Sequence, residues 1–399
     1  MNMPKVAVIG GSIAGLTAAN VLRDIGCEVD VYERTPQFLS GFGTGIVVQP
    51  ELVRYLLERT DTQLDEISVP STSMRYYDGA TAQKKGETDA SWHFTAYNAV
   101  YQKLLDAFGT DRYHLGRSVT HIVQTESGPV AHFSSGPPAS ADLIVCSDGG
   151  GSVVRSELLD VKPKYAGYVT WRGMVDESEL SEKTWNFFQD AFSYGLLEDS
   201  HVIAYPIPQV STDGRLTGRH RLNFQWYWNM DEGPDLDLLM TDRSGQRRPV
   251  SVHHEAITEQ NLTGLRERTE SQLGGPFREL ILSASKPFVT VVSDAEVDRM
   301  AFGNIVLIGD AAITPRPHAA AGAAKAASDA WSLAEQLEMA GGLVGEALAA
   351  WEPERLAIGH AYVAKVRAMA EVLQHGGNFP PGKAEYKFGL PRLPHTAAG

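Results

Sequence analysis

The start of the chain alternates between short apolar runs and a glycine-rich turn. Valine recurs at alternate positions in residues 5–9 and 28–32, and these runs flank a glycine segment at 10–15 and a helical pattern at 16–24. This order predicts a βαβ unit whose glycine turn opens the helix. Two further apolar runs end at polar glycine loops: 141–146 and 305–308. Buried parallel strands that enter functional loops have this pattern, so we expect all these runs to share one nucleotide-binding sheet.

The middle and the end of the chain follow different patterns. Aromatic and β-branched runs at 165–174, 201–208 and 221–230 are bounded by Gly, Pro and Asp, which predicts an antiparallel sheet. Ala, Leu, Glu and Lys recur at helical spacing in 319–340 and 354–373. Together the patterns predict an α/β fold: a Rossmann-like domain built from discontinuous segments, an inserted mixed or antiparallel-sheet domain, and C-terminal helices.

The predicted division follows these changes of pattern. The nucleotide-binding domain takes 1–72, 97–164 and 290–345, the substrate domain takes 73–96 and 165–289, and 346–399 form a C-terminal helical segment and tail. A chain of 399 residues exceeds one ordinary hydrophobic core, and this length favours two or three interlocked domains.

Charge and cysteine content narrow the classes of function. The formal net charge of −14 disfavours binding to nucleic acid or to an anionic membrane. Cys27 and Cys146 are far apart and lack zinc-ligand spacing, so redox chemistry would need a bound cofactor. The sequence shows neither a signal-peptide pattern nor an apolar run of membrane-spanning length, and we therefore expect a cytoplasmic protein without bound metal.

The glycine segment at 10–15 matches a dinucleotide fingerprint with one departure. Gly10 and Gly15 allow close approach of a pyrophosphate to a helix N-terminus, and Ser12 stands where a second glycine is expected. Glu33 ends the second strand roughly twenty residues on, where a carboxylate accepts the ribose hydroxyls. Arg34 follows, either as a phosphate contact or as a solvated surface side chain.

Two later segments extend this match: SDGGG at 147–151 and GDAA at 309–312. Here the chain resembles the single-component flavoprotein aromatic hydroxylases. The resemblance implies that Asp148 and Gly149 lie near the dinucleotide, that Asp310 binds the ribityl chain of FAD, and that Gly322 and Ala323 open a helix facing the flavin. A helix N-cap is the alternative role for Asp310. The chain departs from the family pattern at Ile313, Ala320, Ala321 and Ala324, which puts flavin-edge contacts other than Gly322 in doubt.

Irregular, aromatic-rich stretches resemble the family members that hydroxylate 2,6-dihydroxypyridine at position 3. These stretches are 39–51, 165–173, 203–208, 221–229, 314–322 and 373–377. The resemblance implies non-covalent FAD, a hydroxypyridine or other small aromatic substrate, O2, oxygen transfer through a flavin C4a-hydroperoxide, and a homodimer. It also implies NADH as reductant; since no second dinucleotide fingerprint follows, NADH is expected to bind transiently.

Three groups of residues are candidates for contacts with the ring or the flavin. His318 follows Pro317 in the loop that the family places over the flavin, so it is the candidate base for a ring hydroxyl; a loop-anchoring hydrogen bond is its alternative role. Period-two alternation puts Tyr205 and Gln225 on sheet faces that can orient the ring, unless they only satisfy each other or the sheet. Gly43 and Gly45 of GFGTG let backbone approach the flavin, or form a flexible loop.

Two other classes of function share the glycine fingerprint. An FAD-dependent dehydrogenase or reductase would use the same fold without activating oxygen. A non-enzymatic flavin or NAD sensor would keep the fingerprint without needing Asp148-Gly149 or a polar pocket beside Pro317. Oxygen consumption coupled to product formation separates the hydroxylase from both.

Overall fold

The computed structural model describes residues 3–39, 44–211, 213–375, 383 and 386–391. Its strands are β1 Lys5–Ile9, β2 Glu28–Tyr32, β3 Gly45–Val47, β4 Ser68–Asp78, β5 Lys84–Ala96, β6 Tyr113–His114, β7 Val119–Thr125, β8 Gly128–Phe133, β9 Ala139–Ser140, β10 Leu143–Cys146, β11 Lys164–Asp176, β12 Ala191–Leu196, β13 Ser200–Val210, β14 Leu216–Asn229, β15 Ser251–Val252, β16 Phe288–Asp294, β17 Ala301–Phe302 and β18 Ile305–Leu307. Its α-helices are α1 Ile13–Asp24, α2 Pro50–Arg59, α3 Tyr97–Phe108, α4 Val153–Leu159, α5 Glu182–Phe188, α6 Pro234–Leu239, α7 Glu259–Gln272, α8 Gly275–Leu282, α9 Gly322–Met339 and α10 Val344–His375.

The predicted nucleotide-binding sheet is confirmed. Within the described residues its strand order is β17-β18-β10-β1-β2-β6, and every pair except β17–β18 is parallel. β1, β10 and β18 are fully apolar and buried apart from Lys5, as expected for central parallel strands covered on both faces. Their carboxyl ends carry the three polar glycine loops to one edge of the sheet.

A second, larger sheet confirms the predicted mixed or antiparallel substrate sheet. Its order among the described strands is β15-β16-β11-β14-β13-β12-β4-β5-β3, and only the β12–β4 pair is parallel. Trp171, Trp226 and Trp228 fill an apolar core on one face of this sheet. The alternate residues of β11, β13 and β14 face the opposite side, towards the loop after β18.

The strands also show where the two sheets meet along the chain. β3 and the first residues of β4 lie within the predicted segment 1–72, and β16 crosses the predicted limit at 289, yet all three belong to the larger sheet. The domain limits themselves stay a prediction.

The C-terminal helices are present, with different limits from those predicted. α9 begins at Gly322 because Ala320, just before it, has a left-handed φ of +50°. α10 begins ten residues before the predicted start at 354 and continues through Pro353. Trp351 explains the extension: it is 1% exposed, and its indole N–H donates to the Asp329 carbonyl of α9 at 3.0 Å.

Candidate active site

The glycine turn after β1 packs so closely that side chains cannot replace its glycines. Gly10 has a φ of +101°, and a Cβ added there would lie 2.5 Å from the Ser147 carbonyl oxygen. A Cβ at Gly15 would lie 1.8 Å from the Gly10 carbonyl oxygen and 2.7 Å from Ser147 Oγ. The loops after β1 and β10 therefore touch each other, and the N-terminus of α1 opens between them.

Glu33 lies at the end of β2 with its carboxylate buried in this turn. Gly11 N–H donates to Oε2 at 2.8 Å, and Thr35 N–H donates to Oε1 at 2.9 Å. Thr35 Oγ1–H also donates to Oε1, at 3.1 Å, whereas Oε2 keeps a further acceptor position, so the side chain is held in place and can still accept a ligand hydroxyl. Arg34, the next residue, is exposed beside this turn. Gly11 was missed by sequence reasoning as the backbone partner of Glu33.

Ser12 precedes α1 at its N-cap position but does not cap the helix with its side chain. Its hydroxyl lies 2.7 Å from the Tyr97 hydroxyl, and either group can be the donor. The Ser12 hydroxyl therefore already has a protein partner. Its contact with a phosphate stays a prediction.

Asp148 lies in the loop after β10, and it lines one groove together with Glu33. Its Oδ2 accepts from Val153 N–H at 3.0 Å, while Oδ1 is buried and has no hydrogen-bond partner among the described residues. Burial raises the pKa of this carboxyl. Gly149 beside it has a φ of +84°, which glycine adopts without strain. We call this volume of about 300 Å³ the nucleotide groove, and its lining includes Gly10, Ser12, Glu33, Arg34, Asp148 and Gly149.

A second cavity of about 270 Å³ lies between the larger sheet and the loop after β18. We call it the ring cavity; its lining includes Arg172, His201, Tyr205, Gln225, Asp310 and His318. Pro317, Gly322, Ala323 and Gly45 also line it. The structure thus brings together the predicted ring residues and the predicted flavin-edge residues. Gly43 lies outside the described residues.

Asp310 is placed at one side of the ring cavity by a buried ion pair. Asp329 Oδ2 accepts from Gly309 N–H at 2.9 Å and from Lys325 Nζ at 2.7 Å, which fixes the loop that carries Asp310. Burial raises the pKa of Asp310, and the Lys325 and Arg155 charges oppose that rise. A Cβ at Gly309 would lie 3.7 Å from Ala14 Cβ, so this loop also packs against the start of α1.

Gly322 and Gly45 differ in what their missing side chains allow. A Cβ at Gly322 would lie 3.9 Å from Pro315 Cγ, its nearest neighbour, so the space above the α9 N-terminus is open. A Cβ at Gly45 would lie 2.8 Å from the Tyr205 ring, and Gly45 N–H donates to Asn223 Oδ1 at 3.0 Å. In this structure the glycine at 45 therefore permits close packing on the larger sheet.

Tyr205 and Gln225 lie on the sheet face predicted by alternation. Gln225 Oε1 accepts from Tyr227 Oη–H at 3.1 Å and from an Arg172 guanidinium N–H at 3.0 Å. Tyr205 is 2% exposed, and burial raises the pKa of its hydroxyl. The amide oxygen of Gln225 thus has protein partners, as the alternative interpretation expected, while both side chains still line the cavity.

His318 is buried in the short helical turn Pro317–Ala319 with one ring nitrogen held by the protein. Its Nε2 lies 2.8 Å from the Tyr168 hydroxyl, and its Nδ1 is buried without a partner among the described residues. Burial lowers the pKa of His318 well below its ordinary value, helped by His201 and Arg316. The imidazole is therefore neutral near pH 7. Tyr168 was missed by sequence reasoning, although alternation along β11 puts it on the cavity face with Arg172.

Comparisons with known proteins agree with this geometry. Family models match in three places: a pyridine nucleotide-disulphide oxidoreductase model at 5–51, an FAD binding domain-like model at 165–294 and an FAD binding domain model at 252–366. A curated monooxygenase is 54% identical over 98% of this chain. The chain belongs to the family of FAD-dependent aromatic monooxygenases.

That relative is the 2,6-dihydroxypyridine 3-monooxygenase of Paenarthrobacter nicotinovorans, and the aligned 390 residues cover 96% of its length. The 6-hydroxynicotinate 3-monooxygenase of Pseudomonas fluorescens is 26% identical over 85% of this chain and 83% of its own. The solved structure of 2,6-dihydroxypyridine-3-hydroxylase from Arthrobacter nicotinovorans has a TM-score of 0.94 and 52% identity, and covers 100% of this chain and 99% of that one.

The nucleotide groove and the ring cavity fit FAD. The unpartnered Asp148 Oδ1 and the remaining acceptor position of Glu33 Oε2 suit sugar hydroxyls, and the glycine turn admits a pyrophosphate. The open space at Gly322 suits the polar edge of a flavin at a helix N-terminus. No helix in the described part of the chain is both long and apolar enough to cross a membrane.

Proposed function

We propose that the chain hydroxylates a small hydroxylated aromatic ring, 2,6-dihydroxypyridine at position 3, with NADH as reductant. The observation that carries this proposal is the ring cavity, where a neutral buried histidine faces a polar sheet surface beside the α9 N-terminus. The similarity to a 2,6-dihydroxypyridine 3-monooxygenase over nearly the whole chain supports the choice of ring.

The proposal gives each predicted residue a role. Gly10, Ser12, Gly15, Glu33, Arg34, Asp148 and Gly149 would hold the nucleotide half of FAD, and Gly43, Gly45, Asp310, Gly322 and Ala323 would hold its flavin half. Bound FAD, once reduced, supplies the chemistry that activates O2. The protein then contributes binding, orientation and a cavity for the ring.

The protein's part in oxygen transfer is to prepare the ring. Tyr205 and Gln225 orient it, and Pro317 fixes the turn that presents His318. Neutral His318 accepts the ring hydroxyl's proton at Nδ1, the nitrogen with no protein partner, and so increases the electron density of the ring carbon that is attacked. Tyr168 holds the imidazole in this orientation. While Nδ1 is free to accept a proton, Nε2–H donates to the Tyr168 hydroxyl oxygen, and it still donates after Nδ1 is protonated.

The test is product identification from a panel of hydroxypyridines and phenols with purified FAD-loaded protein, NADH and O2. The proposal expects a hydroxylated product from 2,6-dihydroxypyridine and oxygen uptake equal to NADH consumed. Oxidation or reduction of a ring without oxygen uptake would support the dehydrogenase alternative. Flavin binding without turnover of any ring in the panel would support the sensor alternative.

We also propose a cytoplasmic homodimer with no nucleic-acid or membrane partner. The sequence resemblance supports the dimer, and the net charge of −14 supports the lack of polyanionic partners. Sedimentation equilibrium at several protein concentrations tests the dimer; a monomer at all of them would reject it.

A further inference from the structure

Arg172 is a cationic side chain whose position in the ring cavity points to a ligand. It lies in β11 directly opposite Gln225 of β14, and one guanidinium N–H donates to Gln225 Oε1 at 3.0 Å. Its Nε is buried and has no hydrogen-bond partner among the described residues. The guanidinium therefore has unused donors beside a cavity that must accept a substrate.

The charge of Arg172 is also uncompensated by the protein. No ion pair involves Arg172 within the described part of the chain, whereas Arg316, the other arginine of the ring cavity, donates to Asp294 Oδ2 at 2.6 Å. A half-buried cation is less well solvated than one in water, and an anion that joins it offsets this cost. The two arginines thus differ: the protein neutralises Arg316 and leaves Arg172 for a ligand.

The neighbouring groups cannot supply that anion near neutral pH. Burial raises the pKa of Tyr205 and Tyr227, and the charge of Arg172 only partly opposes this rise. Burial lowers the pKa of His201 to about 3, and it lowers that of His318 well below its ordinary value. All four groups are neutral, and the charges that act on Asp310, the acidic side chain among the cavity residues named above, are those of Lys325, Arg155 and Asp329 and not that of Arg172.

We propose that Arg172 binds the ionised oxygen of the ring substrate, with Gln225 holding the guanidinium in place, and so selects acidic hydroxylated rings over neutral ones. This inference deepens the proposed function and rests on it for the choice of ring. An oxygen that is ionised against Arg172 also donates electron density to the ring, which suits electrophilic attack on a ring carbon.

The test compares two ring ligands in two variants. Oxidised FAD-loaded protein is titrated anaerobically with 2,6-dihydroxypyridine and with pyridine, and the flavin absorbance change reports binding. Because a hydrogen bond to a charged group contributes about tenfold to a hundredfold in affinity, Arg172→Met should weaken dihydroxypyridine binding by about that factor. Pyridine should bind both proteins within about twofold, and Arg172→Lys should recover part of the loss. Arg316→Met is the matched control. Because Asp294 already neutralises Arg316, this substitution should change the preference for the ionised ring less than Arg172→Met does.

Two outcomes would overturn the inference. Equal weakening of both ligands by Arg172→Met would show a role in shape alone, and a changed FAD dissociation constant or reduction potential with unchanged ring binding would assign Arg172 to the flavin. Repeating the titration with acidic phenols separates the two proposals. If no hydroxypyridine is turned over but the preference for ionised rings disappears in Arg172→Met, the proposed function fails and this inference stands.

Discussion

The nucleotide groove and the ring cavity are built by different means. The nucleotide groove is formed by short turns at strand ends. The Gly10 turn is main chain, and backbone N–H groups hold the carboxylates of Glu33 and Asp148 in place. The ring cavity is formed by side chains from β11, β13 and β14 that meet the loop carrying His318. Local turns can be specified by a short motif, whereas the cavity depends on the register of strands distant in sequence. The two regions should therefore respond differently to substitution.

The largest expected effect comes from a methyl group in the glycine turn. In Gly15→Ala the new Cβ would lie 1.8 Å from the Gly10 carbonyl oxygen, so the backbone must shift. We expect a loss of about 3 kcal/mol or more in the free energy of unfolding, together with loss of FAD. Thermal unfolding and flavin content measure both. Gly322→Ala is the matched control from the ring cavity, with 3.9 Å to its nearest neighbour and an expected change of about 1 kcal/mol or less. Equal effects at both positions would remove the contrast between the regions.

The next effect concerns charge in the nucleotide groove. Glu33→Arg places a cation where Gly11 and Thr35 N–H groups converge on a carboxylate, and it removes the acceptors for ribose. FAD affinity should fall by about a hundredfold or more, measured by flavin fluorescence on titration of the apoprotein. Glu33→Gln keeps the size of the side chain and should lose less affinity. A flavin-saturated, active Glu33→Arg protein would reject the assignment of this groove.

In the ring cavity, His318→Ala should separate NADH consumption from hydroxylation. Loss of a general base slows oxygen transfer by about a hundredfold or more, while flavin reduction by NADH should change little. The ratio of product formed to NADH oxidised should therefore fall, with hydrogen peroxide replacing product. His318→Asn recovers this ratio only if a hydrogen-bond donor suffices. Wild-type ratios and pH profiles in both variants would make His318 a structural residue.

The smallest expected effect is on stability against pH. His201 and His318 have pKa values depressed by burial, and that of His201 falls to about 3. Below pH ~6.5 these histidines bind protons in the unfolded chain but stay neutral in the folded protein. Their contribution to the free energy of unfolding is therefore fully present above that pH and is lost as the pH falls. At pH 5 the loss is about 2 kcal/mol for His201. The slope of the unfolding free energy against pH below pH ~6.5 measures how many protons are taken up on unfolding. His201→Asn should reduce that number by about one, and an unchanged slope would contradict a neutral, buried His201.

The same contrast explains which features could be predicted from the sequence. Gly10, Gly15, Glu33 and Asp148 fall within short motifs that follow single strands, so their convergence could be expected from the βαβ pattern. Alternation along β13 and β14 also gave the correct face for Tyr205 and Gln225.

Arg172 and Tyr168 were missed for a physical reason. Their contacts are made across strands and to a distant loop: Arg172 with Gln225, and Tyr168 with His318. Alternation places both on one face of β11, but periodicity alone does not show which loop covers that face. The left-handed Ala320 and the Trp351 contact that set the limits of α9 and α10 depend on tertiary packing in the same way.

With FAD in the nucleotide groove and the substrate in the ring cavity, the protein should insert one oxygen atom of O2 into the ring. Incubation of the purified FAD-loaded protein with 2,6-dihydroxypyridine, NADH and ¹⁸O2, followed by mass spectrometry of the product, tests it most directly. We predict one ¹⁸O atom in each product molecule, none from labelled water, and one NADH oxidised per product. A product without the label, or equal turnover in the absence of O2, would contradict it.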